Sequence, residues 1–275
     1  MQDVIRRNHV QTLGEGDHTL VLAHGFGCDH QIWQPVAEAL APDFRLVLFD
    51  ITGCGQSDLG AWDRSRHSSL HGYAEDLVEV LAASSSDPVT LVGHSVSGTI
   101  AMLASRKAPH HFRQIIAIGP SPRYINDPPD YHGGFEERDI LDLLDMMEHN
   151  YFEWAGYLSP LAMANSHRPE LADKLRQSFA AADPVISRKF AEATFLSDVR
   201  HLLPSVPVPV DILYTEQDVI VPPEVVAYLG DHLPACRTTR LGATGHYPHM
   251  SNPGAVVTGI RAALRTDHAS EAAKD

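Results

Sequence analysis

Only three cysteines, Cys28, Cys54 and Cys236, occur in 275 residues. They cannot all pair, and their spacing fits no zinc module, so neither a disulfide framework nor a structural zinc site is indicated. A chain of this length buries about 75% of its unfolded surface and needs neither staple. No apolar run approaches the ~20 residues that span a bilayer. Met1–Val10 carries Arg6, Arg7 and His9 with no apolar stretch behind them, which is not a secretory leader. Basic residues are also scarce: 21 Lys and Arg against 35 Asp and Glu leave a net charge of −14 with His neutral. Such a charge repels phosphate backbones and anionic lipid, which argues against nucleic acid and membrane surfaces as partners. A reduced, cytoplasmic protein is expected. The 17 histidines show no H-E-x-x-H or comparable spacing, so no metal and no cofactor is expected. Gly53-Cys54-Gly55-Gln56-Ser57-Asp58 follows a strand but lacks the third glycine of a dinucleotide site and sets Asp58 in its place, where it would oppose a pyrophosphate. It reads as a tight structural turn.

Short β-branched apolar runs alternate with helical stretches, which predicts an α/β fold with a mostly parallel sheet. The strands are expected at Thr19–Ala23, Arg45–Phe49, Val89–Val92, Gln114–Ile118 and Val210–Tyr214, with a last one near Thr238–Leu241. Their near-continuous apolar character fits strands buried on both faces. Between them, Ile32–Leu40, Tyr73–Ala83 and Val96–Lys107 read as helices. The alternation stops after Pro120. A Pro-rich turn, Asn126–Gly134, leads into Ile140, Leu143, Leu144 and Met147, spaced i, i+3, i+4, i+7 along one helix face. Leu171, Leu175 and Phe179 repeat the pattern, and Asp183-Pro184 is an N-cap and first-turn pair for a helix carrying Ile186 and Phe190. Residues 121–203 are therefore expected to form a helical cap inserted into a core of residues 1–120 and 204–268, with 269–275 a flexible tail.

The strongest chemical signal is Gly93-His94-Ser95-Val96-Ser97-Gly98, directly after a buried strand and opening a helix. A serine hydroxyl needs exposure and a neighbouring base to act as a nucleophile. A tight strand-to-helix turn with small residues at 93 and 97 gives the exposure, and the helix N-terminus favours developing negative charge. Ser97 stands where the motif has glycine. His94 points away from such a turn and reads as structural. An oxyanion hole would draw on the backbone N–H of Val96 and, from the loop His24-Gly25-Phe26-Gly27, that of Phe26. Losing one such donor typically costs ~2.7–4 kcal/mol of transition-state stabilisation. The acid and base are then expected on loops after later strands: Asp218 after VDILYTEQ, and His246 in Gly242–Pro248. His249 rivals His246. Asp198 and Asp211 rival Asp218, but the first belongs to the exit of the cap and the second to a strand interior.

These stretches resemble the α/β-hydrolase superfamily, and within it the RsbQ-type group that includes bacterial stress regulators and is similar to plant strigolactone and karrikin receptors. HGFGCDHQIW (His24–Trp33), the turn Asp50–Asp58, GHSVS (Gly93–Ser97), GPSPRYINDPPDYHGGFEE (Gly119–Glu137) and the Asp218 and His246 loops carry the likeness, and SPRYIND followed by YHGGFEE is its most specific part. The resemblance implies about eight strands under a four-helix V-shaped cap. It implies Ser95, Asp218 and His246 as a triad, Phe26 and Val96 as oxyanion donors, and a pocket walled by Phe26, Tyr124, Trp154, Tyr157 and Phe195. The activity implied is hydrolysis of a small, mostly apolar ester or lactone. The alternative is a receptor-like protein that binds or slowly hydrolyses a small ligand and acts through a regulatory protein partner, for which the acidic outer face of the cap offers a surface.

Overall fold

A computed structural model describes residues 2–265; the tail expected at 269–275 lies outside the described residues. The first half of the chain runs α1 (Gln2–Arg7), β1 (Gln11–Leu13), β2 (Thr19–Ala23), α2 (Gln34–Leu40), β3 (Arg45–Phe49), α3 (Leu70–Ser84), β4 (Val89–His94), α4 (Val96–Lys107) and β5 (Phe112–Ile118). Four helices follow, α5 (Glu137–His149), α6 (Tyr151–Met163), α7 (Pro169–Ala181) and α8 (Pro184–Phe195). The chain then returns through β6 (Val210–Tyr214), α9 (Pro223–His232), β7 (Cys236–Arg240), α10 (Pro248–Ser251) and α11 (Pro253–Arg265).

The strands form one sheet in the order β1-β3-β2-β4-β5-β6-β7, with only the β1–β3 pair antiparallel. β2, β4, β5 and β6 are buried almost throughout, as strands covered by helices on both faces must be. Among the described residues, seven strands stand where about eight were expected. Residues 2–7 wind into α1, so among the described residues no second antiparallel strand precedes the three-residue β1.

Sheet order positions the chemistry. The chain passes from β2 outward to β3, then crosses back to β4 on the other side of β2. Loops leaving β2 and β4 at such a reversal diverge and open a crevice at the carboxyl ends of the strands. Ala23 and Gly93 are register partners, so the His24–Gly27 loop and the Ser95 turn begin side by side. The loops after β6 and β7 emerge at the same edge.

α5 shows how the insertion packs. Glu136 and Asp139 close a capping box at its start, and Ile140, Leu144 and Met147 are buried along one face. α8 is capped by Asp183, whose Oδ1 accepts from the N–H groups of Val185 and Ile186 at 2.9 Å each. Its inward side chains Phe190 and Phe195 meet Phe26 of the β2 loop, which seats the helices over the carboxyl edge of the sheet.

Candidate active site

Ser95 sits between β4 and α4 with φ 53° and ψ −124°, a conformation that costs a non-glycine residue ~1–3 kcal/mol and survives only where packing over-determines it. The constraints are visible. Ser95 N–H donates to the Ile118 carbonyl at 2.8 Å, and a Cβ at Gly93 would lie 2.8 Å from the Gly98 nitrogen. Ser97 Oγ donates to the His24 carbonyl at 2.5 Å, pinning α4 to the loop that holds Phe26. The serine in place of glycine thus joins the two halves of the expected oxyanion site.

Three groups from separate loops meet here. Ser95 Oγ lies 2.8 Å from His246 Nε2, and His246 Nδ1 lies 2.7 Å from Asp218 Oδ2. Asp218 Oδ1 accepts from the N–H groups of Ile220 at 2.8 Å and Val221 at 3.0 Å. A carboxylate can only accept, so Nδ1 carries the imidazole proton and Nε2 offers its lone pair to the serine hydroxyl. Ser95, His246 and Asp218 are all buried. Among the described residues, the N–H groups of Phe26 and Val96 donate to no other group; the second is an orphan donor at the start of α4.

The rivals lie elsewhere. His249 is stacked on Trp33 at 4.7 Å, Asp198 pairs with Arg123 and Arg200, and Asp211 is bound by Arg237 and Gln114. His94 turns from the hydroxyl, and its Nε2–H donates to the His246 carbonyl at 2.7 Å.

The family model for the alpha/beta hydrolase fold matches residues 18–253. The chain belongs to the α/β-hydrolase family. It is 36% identical over 251 residues to the Karrikin insensitive 2 receptor CA of Petunia hybrida, covering 91% of this chain and 93% of that one. It is 35% identical over 263 residues to a strigolactone esterase of Arabidopsis thaliana, covering 95% and 98%. Among solved structures, a hydrolase from Oleispira antarctica superposes with a TM-score of 0.94 at 40% identity, covering 97% of each chain.

In this α/β hydrolase, four of the five expected wall residues gather above Ser95. Phe26 meets Trp154 at 6.0 Å and Phe195 at 5.7 Å, and Tyr124 meets Phe195 at 5.1 Å. Burial raises the Tyr124 phenol above its ordinary range, with the neighbouring Ser95 hydroxyl opposing the shift. Tyr157 is the exception: it is 55% exposed and lines an outer groove with Leu143, Leu161 and Val219. One turn along α6 from Trp154, Leu158 takes the inward position instead. Phe179 and Phe190, legible in the sequence only as apolar helix positions, also meet Phe26, at 6.3 and 5.5 Å.

Behind Ser95, His246 and Asp218, burial makes the acid side of the pH scale costly. Burial lowers the pKa of His24 and His94, and burial followed by the His246 charge holds His249 at about 3. An unfolded histidine takes a proton near pH ~6.5. Below that pH the unfolded chain binds protons that the folded one refuses, so stability is full above ~6.5 and falls as pH drops toward 3. Each such histidine contributes a slope of up to about 1.4 kcal/mol per pH unit. His249→Phe, which keeps a ring on Trp33, is expected to flatten the stability slope between pH 6.5 and 5 by up to one proton. Urea unfolding across that range measures it, and an unchanged slope would refute the assignment.

Proposed function

We propose that this chain is a serine hydrolase of a small, mostly apolar ester or lactone, working through an acyl-enzyme on Ser95. The observation that carries the reading is the continuous Ser95 Oγ–His246 Nε2 and His246 Nδ1–Asp218 Oδ2 pairing at 2.8 and 2.7 Å. Ser95 Oγ attacks the carbonyl carbon while its proton passes to His246 Nε2, and Asp218 stabilises the imidazolium. The carbonyl oxygen, now an oxyanion, faces the N–H groups of Phe26 and Val96. On collapse the C–O bond breaks and Nε2 returns the proton to the leaving oxygen, which in a lactone stays tethered to the acyl group. Water then attacks the ester on Ser95, giving a proton to Nε2. The second collapse frees the acid and restores the serine.

The surroundings support an apolar substrate with few polar atoms. Phe26, Phe179, Phe190, Phe195 and Trp154 supply aromatic surface. The Tyr124 hydroxyl and Trp154 Nε1 are buried without a hydrogen-bond partner among the described residues, and ester oxygens would satisfy them. The relatives named as esterases support the same chemistry.

Relatives named as receptors favour a second reading, in which the ligand is bound or slowly hydrolysed and the cap, acidic along Glu136, Glu137, Asp139, Asp142, Asp145 and Glu148, meets a regulatory protein partner. One experiment separates the two. Wild type and Ser95→Ala are assayed with p-nitrophenyl esters and a lactone panel, and the protein is weighed by mass spectrometry. Steady turnover with a transient adduct on Ser95, lost in Ser95→Ala, supports the enzyme. A single-equivalent burst followed by a long-lived adduct supports the receptor-like reading. Equal rates in both forms would overturn the serine mechanism.

A further inference from the structure

On a chain of net charge −14, one cleft of about 430 Å³ gathers three cations, Arg64, Arg188 and Lys189. It lies where the loop between β3 and α3, carrying Trp62 and Arg64, meets α5 and α8; Met147, Glu148, Pro184 and Val185 complete it. Local carboxylates leave these charges incompletely matched. Arg188 Nη1 and Lys189 Nζ share the single carboxylate of Glu192 at 3.1 and 2.7 Å. Glu148 stays 3.8 Å from Arg188 Nε, and that buried Nε has no hydrogen-bond partner among the described residues. Arg64 is exposed and forms no ion pair among the described residues. Three cations therefore face two carboxylates.

The rest of the cleft is apolar. Trp62 is half-buried, and its Nε1–H already donates to the Tyr73 hydroxyl at 3.3 Å, so the ring offers surface rather than a donor. Met147 is buried, whereas Val185 is left 69% exposed at the start of α8. Guanidinium and ammonium donors beside an indole and aliphatic surface match an acid group on an apolar body. The volume falls within the ~300–1,000 Å³ of small-molecule sites, which favours a compact ligand over a polymer.

We propose that this cleft binds a small organic carboxylate, its acid group held by Arg188, Lys189 and Arg64 and its apolar body by Trp62, Met147 and Val185. Because α8 also carries Phe190 and Phe195, a bound acid ties the β3–α3 loop to the helix that walls the Ser95 site. Tyr73 links the two places directly: its hydroxyl receives Trp62, and its ring lies 4.4 Å from Phe190.

The test is binding of phenylacetate at low ionic strength, with phenylacetamide and acetate as controls, read by intrinsic fluorescence and thermal shift. Trp33 and Trp154 are fully buried, which leaves Trp62 as the accessible reporter. Phenylacetate is expected to change the emission saturably and raise Tm, with both controls at least about tenfold weaker. Arg188→Gln and Lys189→Gln are each expected to weaken binding about tenfold, and Glu148→Gln to tighten it. Arg64→Gln, in an exposed loop, weakens it without risk to α8. All forms are measured with Ser95 present and as Ser95→Ala, so the outcome does not depend on hydrolysis at Ser95. Failure to saturate in the millimolar range, equal binding of the amide, or unchanged affinity in all three cation variants would overturn the proposal. So would competitive inhibition of ester turnover by phenylacetate that none of these variants alters, because the acid would then sit at Ser95.

Discussion

Asp218→Asn is expected to cut kcat about 10⁴-fold while leaving KM and thermal stability nearly unchanged. The hydrogen bonds around the carboxylate dictate the mechanism. Oδ1 accepts from two backbone N–H groups, those of Ile220 and Val221, and Oδ2 from His246 Nδ1–H. An asparagine amide can keep the two backbone bonds only by placing its oxygen at the Oδ1 position. Its NH₂ then faces His246 Nδ1, which must become an acceptor, and the single proton of the neutral ring moves to Nε2. An imidazole protonated at Nε2 cannot take the proton of Ser95 Oγ. The hydroxyl, the oxyanion donors and the aromatic walls remain, so substrate still binds. Steady-state kinetics on a p-nitrophenyl ester and the imidazole ¹⁵N shifts of His246 check the two halves of the claim. A loss below about tenfold, with the proton still on Nδ1, would remove Asp218 from the mechanism.

Ser95 and Asp218 were legible because each follows a strand whose apolar run marks it as sheet interior, whereas His246 follows the polar edge strand β7 and is placed only by its position on the loop after it. TLVLA, RLVLF and VDILY give their boundaries unambiguously, as both faces are buried and no alternation blurs the ends. Chemistry-bearing residues just past such runs fall at one edge of a parallel sheet, whatever the details of the loops. Less was legible above the sheet. Helical periodicity identifies the apolar face of α7 or α8, but an aromatic on that face, such as Phe179 or Phe190, has the same spacing whether it fills a core or lines a site. Tyr157 shows the converse: an aromatic one residue short of the inward position faces solvent, and a rotation of about 100° around the helix decides it. The cation cleft was invisible because Arg64 and Arg188 lie far apart in the chain and meet only when the insertion folds back. The eighth strand belonged to the resemblance, and the short N-terminal segment became a helix instead.

Gly245→Ala is expected to lower kcat about 10²-fold and Tm by roughly 5–10 °C, because position 245 is where the base-bearing loop is joined to the cap. Gly245 has φ 83°, and a Cβ there would lie 2.0 Å from the Met163 carbonyl oxygen. That atom is backbone at the end of α6, so no rotamer change relieves the overlap. The left-handed conformation alone costs alanine ~1–2 kcal/mol, and at about 2–4 °C per kcal/mol for a chain of this size the strain and the clash together account for the shift in Tm. The joint has several members: His246 N–H donates to the Ala162 carbonyl at 2.8 Å, Asn165 Nδ2 donates to the Met163 and Thr244 carbonyls at 2.6 and 3.1 Å, and Thr215 Oγ1 donates to the Gly245 carbonyl at 2.9 Å. A methyl group at 245 must drive the loop and α6 apart, carrying Nε2 away from Ser95, and a displacement near 1 Å at a reacting group costs on the order of 10²-fold. Gly242→Ala is the matched control, three residues earlier in the same loop, where a Cβ meets nothing within 4 Å among the described residues. If both variants keep wild-type kcat and Tm, the base is not positioned by the cap, and closure of the helices over Ser95 plays no part in aligning the triad.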